Sequence, residues 1–244
     1  RLLVATLDPS GALTALSLGE AHSGDPRLTT APDAVLPAWD ESDRIAALRT
    51  YGILDTATEK PFDDLVALAA RVCEAPMAVI SLVDGRRQWF KAEIGLGFSE
   101  TPLSTSFCAL AMAENDGLVV LDAQRDPRFD CNPLVTGEPH IRFYAGRRLT
   151  TPDGLPLGAL AVLDTQPREE GLSELQALTL DTLAGQVMSQ LELRRALQQR
   201  DQSEDAARRA LAASNYIGAW DWDIVADRVT LVTRLAASRG LFQP

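Results

Sequence analysis

The sequence predicts an α+β fold, and three observations carry that prediction. Residues 141–146 alternate, with Ile141, Phe143 and Ala145 facing one way and Arg142, Tyr144 and Gly146 the other, the period of a half-buried strand. A turn follows at Thr151-Pro-Asp-Gly154, where Pro presets φ, Asp bonds back to the backbone and Gly accepts positive φ; the apolar run 157–164 completes a buried hairpin. Residues 173–214 then read as one helix of about forty residues, opened by a Ser173-x-x-Gln176 capping box.

The remaining elements follow in chain order. Residues 1–38 read as a tail or linker in which 2–7 and 12–18 flank Asp8-Pro-Ser-Gly11 as a small hairpin, with a mobile tail as the alternative because two strands alone are marginal. Asp40 is an N-cap for a helix to about Tyr51, stopped by Gly52. Phe62, Leu65, Val66, Leu68, Ala69 and Val72 form a stripe of period 3.6 on a second helix over 60–74. Residues 77–83 are rich in β-branched side chains and read as a buried strand, turned by Asp84-Gly85 into another that carries Trp89, Phe90 and Ile94. A short helix over 106–114 and a strand over 118–121 precede the hairpin.

Leu175, Leu178, Leu183, Val187 and Leu191 of the long helix are placed to cover a sheet or a dimer partner. Beyond Leu193 the helix becomes charged, with sparse Leu197 and Leu211; pairing in a two-stranded coiled coil over 196–214 would stabilise it, and a frayed exposed tail is the alternative. After Asn215 the pattern returns to strands, at 217–223 and 229–232, with a short helix ending near Gly240.

Composition excludes several functions. A net charge of −11 argues against nucleic acid or an anionic membrane surface as a partner. No apolar run approaches the ~20 residues of a membrane span and no signal-peptide pattern opens the chain, so a cytoplasmic location is expected. Three cysteines, Cys73, Cys108 and Cys131, form no CxxC pair and suit a reducing compartment. Two histidines, His22 and His140, exclude most His-based zinc or haem sites and leave no helical phosphoacceptor, and no catalytic residues or metal ligands are assigned.

Taken in order, Ser81-Leu-Val-Asp-Gly-Arg-Arg-Gln-Trp-Phe-Lys91, Ser106-Phe-Cys108, Arg128-Phe-Asp-Cys-Asn-Pro-Leu-Val135 and the hairpin resemble the GAF domains of bacterial signalling proteins, especially those upstream of histidine kinase cores. The resemblance covers residues 39–195. It implies an antiparallel sheet of six or so strands with helices on one face, a small-ligand pocket of unnamed cofactor or ligand, and a homodimer formed through the flanking helices. Residues 215–244 resemble the opening of a PAS domain; thirty residues bury no core of their own, so a module cut short is expected there. The resemblance implies a sensory or regulatory module of a multidomain protein, with a sensor histidine kinase as the expected parent.

Seven residues are candidates for the pocket: Trp89, Cys108, Asp122, Phe129, Asn132, Arg142 and Tyr144. Arg142 and Tyr144 share a strand face with Trp89 and Phe129 as expected neighbours. Arg142 either grips a ligand carboxylate or phosphate bidentately or pairs with Asp122 or Asp126 and pins the loop holding Asn132 and Pro133. Cys108 reads as a small buried thiol. In related photoreceptors a cysteine there carries a bilin, but here Ala109 stands where the histidine beside such a cysteine is usual. Related methionine sulfoxide reductases use cysteine nucleophiles, yet no His or Lys flanks Cys108 to lower its pKa. A ligand-free dimerisation scaffold is the remaining alternative, favoured if Trp89, Tyr144 and Phe129 fill the pocket.

Overall fold

Asp40 does what a short acidic side chain before a helix does: its carboxylate accepts from the backbone N–H groups of Ser42 at 2.8 Å and Asp43 at 3.2 Å, and helix α1 runs Glu41–Thr50. The computed structural model describes residues 2–7, 13–19, 39–213, 219–223 and 228–232. The chain divides into two units, Arg1–Arg195 and Ala196–Pro244.

In the first unit, β1 (Leu2–Leu7) and β2 (Leu13–Gly19) pair as an antiparallel hairpin, one of the two readings of this stretch. Helix α2 (Lys60–Val72) buries Phe62, Val66, Ala69 and Ala70, whereas Leu68, placed in the apolar stripe, is 47 % exposed. Strands β3 (Met77–Val83), β4 (Arg87–Ile94), β5 (Glu100–Pro102), β6 (Leu118–Val120), β7 (Phe143–Thr150) and β8 (Pro156–Asp164) form one six-stranded antiparallel sheet in the order β5-β4-β3-β8-β7-β6. Every residue of β3 is buried, as expected of a central strand. The β7–β8 turn is the expected one, with Gly154 at φ 87° and its N–H bonded to Thr151 O at 2.9 Å. Two short helices, α3 (Phe107–Ala113) and α4 (Pro133–Thr136), lie between strands.

Alternation sorts the sheet's side chains into two cores. On one face Ile80, Leu82, Trp89, Phe143 and Leu160 meet α1, α2 and Leu180, Leu183, Val187 and Leu191 of helix α5 (Glu174–Ala213). On the other, Val79, Phe90, Tyr144, Ala161 and Leu163 meet α3 and the 121–141 loop. Helices on one face only is therefore corrected: the short α3 and α4 cover the second face.

The capping box of α5 is reciprocal, Ser173 N–H to Gln176 Oε1 at 3.0 Å and Gln176 N–H to Ser173 Oγ at 3.3 Å. Of the second unit, β9 (Ala219–Asp223) and β10 (Arg228–Val232) pair as an antiparallel hairpin. The helix expected near Gly240 lies outside the described residues. Among the described residues no helix is long and apolar enough to cross a membrane.

Candidate functional site

Behind β4, β3 and β7 the second core encloses a small cavity of about 20 Å³, lined by Gln88, Phe90, Phe107, Cys108, Ile141 and Tyr144 among others. Ser106 positions α3 beside it: its Oγ accepts from Ala109 N–H at 2.9 Å and is bonded to Gln88 Oε1. The helix start thus aims Phe107 and Cys108 inward. Tyr144 reaches the same place from β7, its hydroxyl donating to Cys108 Sγ at 3.3 Å. Gly146 makes room for that ring, because a Cβ there would stand 2.3 Å from the Tyr144 hydroxyl oxygen. Phe107 stacks on Phe129 with centroids 4.1 Å apart and planes 7° from parallel, and on Tyr144 at 5.2 Å.

Burial pushes the Cys108 thiol up and the Tyr144 phenol well up, so both stay protonated at neutral pH and the thiolate that nucleophilic chemistry needs is disfavoured. Burial likewise raises Cys73, whereas Cys131 is exposed. Native protein titrated with a thiol reagent is expected to show one fast thiol, which Cys131→Ser abolishes, and three after denaturation; two or three fast thiols without denaturant would contradict the closed core.

The other candidates go elsewhere. Trp89 lies on the opposite face, in the core under α2 and α5, so the expectation that it neighbours Tyr144 is corrected. Gln88 and Phe90 take its place, since successive residues of a strand face opposite ways. Asn132 caps α4 by accepting from Leu134 N–H at 2.9 Å and donates to Thr105 O at 3.1 Å, which ties the loop down. Arg142 precedes β7 and forks onto Asp122, Nε to Oδ1 and Nη2 to Oδ2 both at 2.7 Å, in a separate open recess at the β6 edge. That is the pinning arrangement, with Asp122 rather than Asp126 as partner; Asp126 is held by Arg128 at 2.7 Å. Ile141, expected beside Phe143, lines the cavity instead, because it stands before the first residue of β7.

Three aspartates share one electrostatic pattern. The Arg142 fork leads in holding Asp122 below the ordinary range. At Asp84 and Asp126 burial opposes ionisation but is outweighed, by the Arg86 and Arg87 N–H groups and the Arg87 guanidinium at the first and by Arg128 at the second. Each folded pKa lies below the unfolded value of about 3.9. Their stabilisation is therefore fully present above that pH and lost as pH falls through the folded values. The melting temperature is expected to be insensitive to these groups between pH 5 and 8 and to fall below about pH 4, less steeply in Asp122→Asn; equal acid slopes for the two proteins would remove Asp122 from this account.

Among the described residues no group of three or more His, Cys, Asp or Glu side chains is placed to hold a metal ion. The arrangement is a closed aromatic core with a thiol and a phenol at its centre, suited to packing or to admitting an apolar molecule after rearrangement.

Comparison with known proteins places the chain in a family. A cyclic di-GMP phosphodiesterase of Pseudomonas aeruginosa is 43 % identical over 152 residues, which are 62 % of this chain and 26 % of that protein, so the chain spans about a quarter of its relative. The GAF domain of an Acinetobacter phosphoenolpyruvate-protein phosphotransferase aligns with this chain at 21 % identity and TM-score 0.48, covering 64 % of this chain and 94 % of that one. A free methionine-R-sulfoxide reductase of Neisseria meningitidis, solved with its substrate, is 20 % identical at TM-score 0.46, covering 66 % and 98 %. The GAF domain profile matches residues 58–191, more than half of the chain, and the chain belongs to the GAF domain family.

Proposed function

We propose that this chain is the sensory and regulatory module of a multidomain cytoplasmic signalling protein, acting as a homodimer and passing its state along α5 to an output domain that turns over cyclic di-GMP. The observation that carries the reading is α5 itself. Its first half seals the sheet through Leu180, Leu183, Val187 and Leu191, and then the same helix continues to Ala213 with residues 199–210 all exposed. So polar a helix gains little from its own domain, and pairing with a second copy supplies the missing contacts. The output class is supported by the 43 % identity with a cyclic di-GMP phosphodiesterase. A histidine kinase core is the rival output that the sequence motifs support, and a PAS module begun by the β9–β10 hairpin fits either output.

The test is Glu204→Pro in the full-length protein, which breaks α5 at an exposed position. Cyclic di-GMP hydrolysis is expected to change about fivefold or more, with the melting of the GAF domain unchanged; unchanged hydrolysis would refute coupling through α5, no hydrolysis by the parent protein would refute the output assignment, and autophosphorylation in its place would favour the kinase.

The cavity size favours a second reading of the input. About 20 Å³ holds a single water, which supports the ligand-free scaffold. A native mass spectrum separates the two: a dimer with added mass means a ligand sensor, a bare dimer the scaffold, and a bare monomer removes the dimer.

A further inference from the structure

Resting on the reading of α5 as the output element, we propose that Lys91, Glu59 and Arg194 form a relay coupling the cavity side of β4 to the rotational setting of α5 where it leaves the domain. Strand β4 shows Gln88 and Phe90 to the cavity, while Lys91 reaches the Glu59 carboxylate and the Phe62 ring on the face covered by α2. The β3–β4 register slips here: Ser81 pairs with Phe90 and Ile80 with Ala92, which leaves Lys91 as the extra residue of a β-bulge. A bulge is a point where a strand bends and a side chain is re-aimed, so movement of Phe90 passes directly to its neighbour.

The Lys91 side chain has no exposed surface, and a buried ammonium demands partners. It finds Glu59 Oε1 at 2.7 Å, Ala57 O at 2.6 Å and Thr56 Oγ1 at 3.0 Å, with the Phe62 ring centroid at 5.4 Å. The same Glu59 oxygen accepts from Arg194 Nη1 at 2.5 Å. Burial opposes ionisation of Glu59, but Lys91 and Arg194 together outweigh it and keep the carboxylate charged. One acceptor atom therefore serves a strand and the helix exit together.

On the other flank of α5, Tyr51 donates to Glu192 Oε1 at 2.5 Å, Glu192 holds Arg195 at 2.6 Å, and the Arg195 guanidinium lies 4.9 Å from the Tyr51 ring centroid. Apolar contacts upstream, from Leu180 to Leu191, are non-directional and tolerate a small rotation of the helix. Polar contacts at 192, 194 and 195 straddle the helix and do not tolerate it. The turn they occupy is the last one of the first unit.

The clamp is also one bond short, since Arg194 Nε is buried with no hydrogen-bond partner among the described residues. Swinging Arg194 into solvent would satisfy that group while giving up Glu59, which narrows the gap between an engaged and a released state. Lys91 keeps Glu59 occupied in both, so the switch is in Arg194 alone.

The experiment is amide hydrogen exchange at residues 192–198 of the 244-residue chain. Phe90→Leu, which alters the cavity without touching charge, is expected to speed exchange there by roughly 2- to 30-fold. In Arg194→Gln the exchange is fast already and Phe90→Leu adds nothing; Arg194→Lys, which restores a cation to Glu59, restores the response. An equal effect of Phe90→Leu with and without Arg194, or no effect in either, overturns the relay. Val79→Ala lines the same cavity and serves as a second probe should Phe90→Leu fail to fold. The measurement needs no output domain, so its failure leaves the proposed role of α5 intact, and an unresponsive Glu204→Pro protein leaves the relay intact.

Discussion

Arg44→Leu is expected to destabilise the domain by about 3–5 kcal/mol, because it breaks a buried ion pair on one side only. Arg44 is wholly buried, and its guanidinium bonds Glu41 through Nε at 2.7 Å and Nη2 at 2.6 Å, Val83 O at 2.7 Å and Pro156 O at 3.5 Å. Leucine would leave the Glu41 carboxylate, itself 7 % exposed, with the Trp39 indole N–H at 3.1 Å as its remaining side-chain donor. It would also orphan the carbonyl that ends β3. For a domain of this size the loss corresponds to roughly 6–20 °C in melting temperature. Glu41→Leu with Arg44→Leu removes both charges together, and the pair is expected to be at least about 1 kcal/mol more stable than the sum of the single losses. Strict additivity in that cycle would mean that the two side chains do not act as a pair. Arg44 joins the first turn of α1 to the last residue of β3 and the first of β8, so its loss should loosen α1 first, and with it Tyr51.

How far such contacts are legible beforehand depends on their range in sequence. Asp40 with Ser42 and Asp43, Ser173 with Gln176, Ser106 with Ala109 and the Thr151–Gly154 turn are local, and each is readable because the partner lies two or three positions away. The hairpin and the buried run of β3 follow from period and apolarity alone. Register is where the reading ends. Alternation says that Trp89 and Phe90 face apart but not which faces α2, and the bulge at Lys91 resets the phase for Ala92. Strand β5 has three residues, a Pro and an edge position, too little for any pattern. Arg147 and Arg148 continue β7 although neither is apolar, because Leu160 and Ala159 stand opposite them in the ladder. Of the site, Cys108, Tyr144 and Phe129 are legible from residue type and local pattern. Gln88, Phe90 and Ile141 are not, since only the sheet order brings them together. The Glu59–Lys91–Arg194 group spans 135 positions between its ends and left no local sign.

Phe129→Ala is expected to cost about 3–5 kcal/mol and to leave a void that stays open. The size of such a loss depends on how well a site can collapse, and here the loop is held by bonds that do not involve the ring. Phe129 N–H reaches Asp126 O at 2.9 Å, Asn132 N–H reaches Phe129 O at 2.8 Å, and Arg128 is locked to Asp126. Asn132 ties the far end to Thr105 O, and the Arg142–Asp122 fork closes the near end. With the backbone fixed, removing a ring that is 1 % exposed and stacked on Phe107 leaves apolar walls with nothing against them. A void of that kind remains dry and admits small aromatic molecules. Benzene or indole at ten times its dissociation constant should then return about 1.4 kcal/mol of the loss, seen as a rise in melting temperature absent from the parent protein. A loss below about 2 kcal/mol with no such rise would show that the loop falls in, and that the ring rather than the polar bonds holds it in place. Rescue, conversely, would show that the polar bonds hold the loop in place without the ring, so that the second face of the sheet needs only one side chain removed to open a binding site.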